Sequence, residues 1–178
     1  LSAEIFLADI PPDSSIQNND PENEEELTNP QIGIELQYIK DLSFENPVGP
    51  DTPAMFEQDP TINVEVNTTA RPLENEKYEV SIFIRGEGKT GDTVLFIVEL
   101  TYAGLLSVAN APKDAIKPIL LIEGARLLFP FARNIVAEVT RDSGLPPLFL
   151  NPIDFVQLYQ EQQMNEAEGG NGKKELIN

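Results

Sequence analysis

Residues Tyr78 to Leu106 restrict what this chain can fold into more than any other stretch. Two β-rich runs, Tyr78-Glu-Val-Ser-Ile-Phe-Ile-Arg85 and Thr93-Val-Leu-Phe-Ile-Val-Glu-Leu-Thr-Tyr102, flank a glycine-rich segment, Gly86-Glu-Gly-Lys-Thr-Gly-Asp92. That pattern predicts an antiparallel hairpin. Strand side chains alternate between faces, so Tyr78, Val80, Ile82 and Ile84 share one face of the first arm. Val94, Phe96, Val98, Leu100 and Tyr102 share one face of the second. Thr93, Leu95, Ile97, Glu99 and Thr101 share the other, where exposed Leu95 and Ile97 beside Glu99 would make a semi-apolar acidic surface suited to a partner.

The neighbouring segments extend this hairpin into a sheet. Between Ile32 and Glu45, Ile32, Ile34, Leu36, Tyr38, Leu42 and Phe44 fall on one parity, with Lys40 as the exception; Glu35, Gln37, Asp41, Ser43 and Glu45 fall on the other. Residues 46–60 carry Pro47, Gly49-Pro50, Pro53 and Pro60 and read as a loop that holds Met55-Phe56. Thr61 to Asn67 is a further strand with Ile62, Val64 and Val66 inward, and Arg71 to Glu76 is a turn. Four strands in succession with no intervening helix predict an antiparallel sheet.

After Leu106 the period changes. Asp114 to Arg141 reads as a helix with an apolar stripe of Leu121, Leu128, Phe131, Ile135 and Val139, with breaks or kinks expected at Pro118 and Pro130. Ser143-Gly144 and Pro146-Pro147 end it. Asn151-Pro152 predicts the N-cap and first position of a second helix running to about Met164. The expected class is α+β: a four-stranded antiparallel sheet with two C-terminal helices on one face. Residues 1–30 read as a disordered acidic arm, 31–164 as the folded domain and 165–178 as a flexible tail. The arm carries Glu4, Asp9, Asp13, Asp20, Glu22, Glu24, Glu25 and Glu26 with no Lys or Arg.

Charge and missing residue types exclude much chemistry. Thirty acidic and 12 basic residues give a formal charge of −18, which disfavours nucleic acid and anionic membranes and favours cationic partners. With no Cys and no His, thiolate and imidazole catalysis and their metal sites are excluded. No apolar run approaches the roughly 20 residues of a membrane span. Gly86-Glu-Gly88-Lys-Thr-Gly91 spells G-x-G-x-x-G, but a dinucleotide loop must open a helix and here a strand follows. A P-loop is rejected because Phe83 stands where its first glycine is required. Asn67-Thr-Thr69 is a formal glycosylation triplet without a secretion signal. Asp41 and Glu45, four apart on a strand's outer face, lack the pocket that paired catalytic carboxylates need. If the strands share one sheet, they form with Ile97 and Glu99 an acidic surface with an apolar centre, fit for a Lys- or Arg-bearing partner.

Several motifs together resemble the SecB protein-export chaperone family: Tyr38-Ile-Lys-Asp-Leu-Ser-Phe-Glu-Asn-Pro47, Tyr78-Glu-Val80, Phe96-Ile-Val-Glu99, Leu127-Leu-Phe-Pro-Phe-Ala-Arg133 and Leu148-Phe-Leu-Asn-Pro-Ile-Asp-Phe155. The resemblance runs from about Gln31 to Met164. It implies a cytoplasmic, ATP-independent chaperone, not an enzyme, that needs no cofactor or metal and assembles as a dimer of dimers. Such a chaperone holds unfolded secretory precursors and passes them to the SecA translocase motor. By position, Asp41, Glu45, Ile97 and Glu99 match the family's outer-sheet contacts for the zinc-bearing tail of SecA. Val98, Leu100 and Tyr102 match positions that support the tetramer. Phe56, Val64, Phe149, Phe155 and Leu158 are the candidate client-binding residues. Two rivals stand beside this reading: a SecB-like chaperone dedicated to a toxin–antitoxin pair, and a carboxylate enzyme built on Asp41 and Glu45.

Overall fold

The computed structural model describes residues 29–171; the acidic arm to Thr28 and the end of the tail lie outside them. Four strands come first, β1 (Gln31–Glu45), β2 (Thr61–Pro72), β3 (Lys77–Thr90) and β4 (Thr93–Ala109), with the short helix α1 (Thr52–Phe56) between β1 and β2. The helices α2 (Lys113–Ile119), α3 (Ala125–Asp142) and α4 (Phe155–Asn171) follow. Every strand pair is antiparallel and the spatial order is β1-β4-β3-β2, so β1 and β2 are the two edges. The α+β expectation is met. Helix α4 continues to Asn171, past the Met164 at which the sequence pattern ends it.

The hairpin closes on Gly91-Asp92, with Thr90 paired to Thr93. Gly91 sits at φ +57°, a left-handed conformation that costs glycine little. Gly86 and Gly88 do something else. They lie inside β3, where a Cβ on Gly88 would run into the Phe96 ring and one on Gly86 would stand 2.9 Å from Leu148. The motif that spells a phosphate loop is a strand thinned to let two apolar side chains lie across it.

One face of the sheet is covered by helices. Val80, Ile82 and Ile84 of β3 and Val98, Leu100 and Leu106 of β4 are fully buried beneath Leu120, Ala125, Leu128, Ala132 and Val136. Each large aliphatic side chain buried in this way contributes roughly 1.5–3 kcal/mol. The helix cover departs from the predicted stripe: Leu121 and Leu128 are buried, whereas Ile135 and Val139 are half-buried and Phe131 is exposed. Phe131 stacks on Tyr102 at the margin of the core, ring centroids 6.5 Å apart. Pro118 is followed by a wide π turn over Leu120–Gly124, which absorbs the lost hydrogen bond. Pro130 sits within an unbroken α3, so no break occurs there. The N-cap of α4 is Asp154, not Asn151: its carboxylate accepts from the Val156 and Gln157 amides at 2.9 and 3.1 Å. Phe155, edge-on to Phe129 in the core, fixes where that helix starts.

Strand β1 also departs from simple alternation. Its register against β4 slips once between Ile34 and Leu36 and again between Ile39 and Asp41. Two bulges, at Glu35 and Lys40, exchange the faces between them. Leu36 and Tyr38 therefore share the outer face with Asp41, Ser43 and Glu45, while Gln37 and Ile39 turn to the helix side. A third slip, at Gly88/Lys89, sends Leu95 into the core rather than to the outer surface where alternation had put it.

Candidate functional site

The face of the sheet opposite the helices is a lattice of cross-strand rows. Glu45, Ile97, Glu87 and Asn63 form one row across β1, β4, β3 and β2. Ser43, Glu99, Arg85 and Glu65 form the next, and Asp41, Thr101, Phe83 and Asn67 the third. Neighbouring strands lie about 4.8 Å apart, so the four residues singled out in the sequence, Asp41, Glu45, Ile97 and Glu99, come together on β1 and β4. Phe83 adds apolar surface to the same patch. Its signal in the sequence is the alternation of β3, where it shares a parity with Arg85 and Glu87.

The patch is internally charged. The Arg85 guanidinium donates to the Glu99 carboxylate and lies 3.9 Å from Glu87. The Lys89 ammonium meets Glu87 at 2.9 Å, and that hydrogen bond holds the Glu87 carboxyl below its ordinary range. Asp41, Glu45 and Glu65 are exposed and make no ion pair among the described residues.

The other end of the outer face holds a network that alternation does not reveal. Glu79 is only 7 % exposed, and accepts from the Tyr38 hydroxyl at 2.5 Å, Lys40 at 2.6 Å and Arg71 at 2.9 and 3.0 Å. Hydrogen bonds from Arg71, then Lys40 and Tyr38, hold its carboxyl far below the usual carboxylate range. The bond to Glu79 in turn raises the Tyr38 phenol. The signal in the sequence was the one break in β1's pattern: Lys40 is a bulge residue whose side chain reaches Glu79.

The helix-covered side carries a groove of about 380 Å³ between β2 and the Leu148–Leu158 segment. Val64, Phe149 and Leu158 line it together with Val66 and Ile153. Phe149 is 67 % exposed and Val64 42 % exposed. Phe155 does not join them. It is 2 % exposed and lies in the core, where its ring packs edge-on against Phe129. Phe56 is half-buried in α1, against the core rather than in this groove. Val98 and Leu100 are likewise enclosed within the single chain, beneath the helices. Tyr102 is at the core's edge, under exposed Phe131.

Asp41 and Glu45 stand two rows apart on an open strand face. Among the described residues no group of three or more carboxylates gathers as a metal site, and no helix is long and apolar enough to cross a membrane.

The sequence matches the family described as preprotein translocase subunit SecB over residues 25–166. The chain belongs to the SecB family. Among its relatives, the protein-export protein SecB of Rhodopseudomonas palustris strain BisB5 is 45 % identical over 146 residues, 82 % of this chain and 92 % of the relative. That of Afipia carboxidovorans is 48 % identical over 139 residues, 78 % of this chain and 86 % of the relative. Among solved structures, the SecB-like chaperone Rv1957 of Mycobacterium tuberculosis, in complex with a peptide from the antitoxin HigA1, superposes with a TM-score of 0.57. It is 18 % identical and covers 68 % of this chain and 90 % of its own length, a likeness of fold. The SecB match takes in both surfaces described above, the acidic outer face and the groove at Phe149.

Proposed function

We propose that this chain is an ATP-independent export chaperone: it holds unfolded secretory precursors in the cytoplasm and delivers them to SecA. The observation that carries this is the separation of two surfaces. An exposed apolar groove lined by Val64, Phe149 and Leu158 lies on the helix side, and an acidic patch of Asp41, Glu45, Ile97 and Glu99 lies on the opposite face. A non-native chain exposes apolar segments, and several weak grooves in one assembly retain it with an avidity gain of ~10²–10⁴. The acidic patch suits the cationic, zinc-bearing tail of SecA, which can engage while the client stays bound. Assembly as a dimer of dimers is part of the proposal. Exposed Leu127 and Phe131 on α3 and Ile39 and Leu42 on β1 supply an apolar face beyond the single chain's core.

Native mass spectrometry tests it. The purified protein, alone and with a slow-folding denatured precursor and no nucleotide, is expected to appear as a tetramer that takes up one client. A monomer that ignores the client overturns the reading. A toxin–antitoxin role is not favoured: the antitoxin-bound relative is alike in fold at low identity, whereas the far closer relatives carry the export name.

A further inference from the structure

We propose that two residues outside the groove at Phe149, Thr140 and Gly86, are positioning residues that hold its wall ready for a client. The inference rests on the reading of that groove as a client surface, and names what shapes it. Thr140 lies in the last turn of α3 and is fully buried. Its hydroxyl donates to the Val136 carbonyl at 2.9 Å, shared with that of Ala137 at 3.1 Å. The hydroxyl oxygen keeps its acceptor capacity, and the Leu148 amide, eight positions on, donates to it at 2.9 Å. The Thr140 carbonyl also accepts from the Leu145 amide at 3.2 Å. Between them the chain turns at Gly144, at φ +81°, whose amide donates to the Arg141 carbonyl at 3.0 Å. One buried residue therefore grips the returning chain twice.

The sheet supplies the second grip. A Cβ at Gly86 would stand 2.9 Å from Leu148 Cδ2, so the Leu148 side chain occupies the notch that this glycine leaves in β3. Leu148 is half-buried, Phe149 exposed and Leu150 buried, the alternation of an extended chain. With its two neighbours turned inward, Phe149 is turned out onto the groove. Residues Leu148 to Ile153 line one side of that groove, and Val64, Val66 and Leu158 line the rest. The segment belongs to no helix or strand, so no ladder of backbone hydrogen bonds fixes it. Its place depends on the Thr140 hydroxyl and the Gly86 notch. A wall already in place spares the client the ordering cost that a loose wall would charge at every encounter. The saving recurs in each groove that a long client occupies.

A double-mutant cycle on the full chain tests this, read by the anisotropy of a fluorescent Leu/Phe-rich decapeptide and by amide hydrogen exchange at Leu148. Thr140→Val keeps the shape and removes the hydroxyl. It is expected to weaken decapeptide binding about three- to tenfold and to speed exchange at the Leu148 amide. Thr140→Ser, which keeps the hydroxyl, is expected to restore both. Phe149→Ser should cost less affinity in the Thr140→Val background than alone, because the ring is no longer held over the groove. A residue that only stabilised the fold would leave the two changes additive. Additivity, or unchanged affinity in Thr140→Val, overturns the proposal. If Thr140→Val does not fold, Gly86→Ala takes its place: it pushes Leu148 from the sheet side and is expected to show the same coupling to Phe149. If Phe149→Ser alone binds the decapeptide as well as the unaltered chain, the client reading fails, and exchange at Leu148 still decides whether Thr140 holds the wall.

Discussion

Arg85 stands directly opposite Glu99 in the β3–β4 register, and its guanidinium donates to the Glu99 carboxylate. The carboxylate in the middle row of the acidic patch therefore has a cation of its own chain, while Asp41 and Glu45 on β1 have none among the described residues. A cationic partner must share Glu99 with Arg85 or displace it. Both side chains are about one-third exposed, so the internal pair is worth no more than about 1 kcal/mol and exchange is cheap.

This geometry sets opposite expectations for two substitutions. Glu99→Lys puts a cation beside Arg85 and should abolish binding of the SecA tail. Arg85→Gln releases Glu99 and should strengthen binding up to about fivefold at low salt, with the gain fading as salt rises. Titration calorimetry at two ionic strengths reads both. Unchanged affinity in Glu99→Lys would remove the outer face from the delivery step.

Glu79 makes stability depend on acid. Its folded-state pKa is depressed by three donors, and the unfolded value is about 4.3. A depressed carboxylate contributes stability that is complete above the unfolded value and is lost as pH falls below it toward the folded value. Glu79→Gln should cost about 2–3 kcal/mol at pH 7, since it leaves Arg71, Lys40 and Tyr38 around a neutral amide. Urea denaturation at pH 7 and pH 3 should show the gap between the two proteins narrowing in acid. A gap independent of pH would mean that shape, not charge, holds the network.

What was legible in the sequence follows from where local rules apply. Alternation in β4 set out the faces of Val98, Leu100, Tyr102, Ile97 and Glu99, because that strand keeps its register against β1 and β3 through this stretch. It failed in β1, where bulges at Glu35 and Lys40 each insert a residue. A bulge leaves no mark in hydrophobic periodicity beyond one misplaced polar residue. The Glu79 network was hidden for the same reason. Its members are separated by 8 to 41 positions and meet only through the register. The resemblance assigned Phe155 to the client surface by position, but burial against Phe129 is a property of tertiary contact that one sequence does not display. The Asn151-Pro152 cap was a sound local signal, displaced to Asp154 because Phe155 has to enter the core.

Phe131 and Tyr102 give a test of assembly. Phe131 is 50 % exposed yet stacked on Tyr102, so its outer ring face is available to another subunit. Phe131→Asp should leave the single chain folded, with a cost near 1 kcal/mol for the lost aromatic pair. It should shift the native mass from tetramer to a smaller species. Circular dichroism checks the fold and native mass spectrometry the state. A tetramer that survives the change would put the assembly face elsewhere than α3.

Phe149 and Phe155, six positions apart in sequence, should behave as opposites. Phe149 is exposed on the groove and carries little of the core, so Phe149→Ser should change the unfolding free energy by less than about 0.5 kcal/mol. Client retention should weaken several-fold, because a large aromatic contact is lost from a surface that works by many weak contacts. Phe155 is buried against Phe129, and Phe155→Ala should cost about 3–5 kcal/mol by leaving a cavity. Under conditions where that variant is still folded, its client affinity should be close to that of the unaltered protein. Paired measurements of unfolding and of precursor aggregation separate the two effects. If Phe149→Ser destabilises the fold, or if it suppresses aggregation as well as the unaltered chain, the groove between β2 and α4 is not where clients are held.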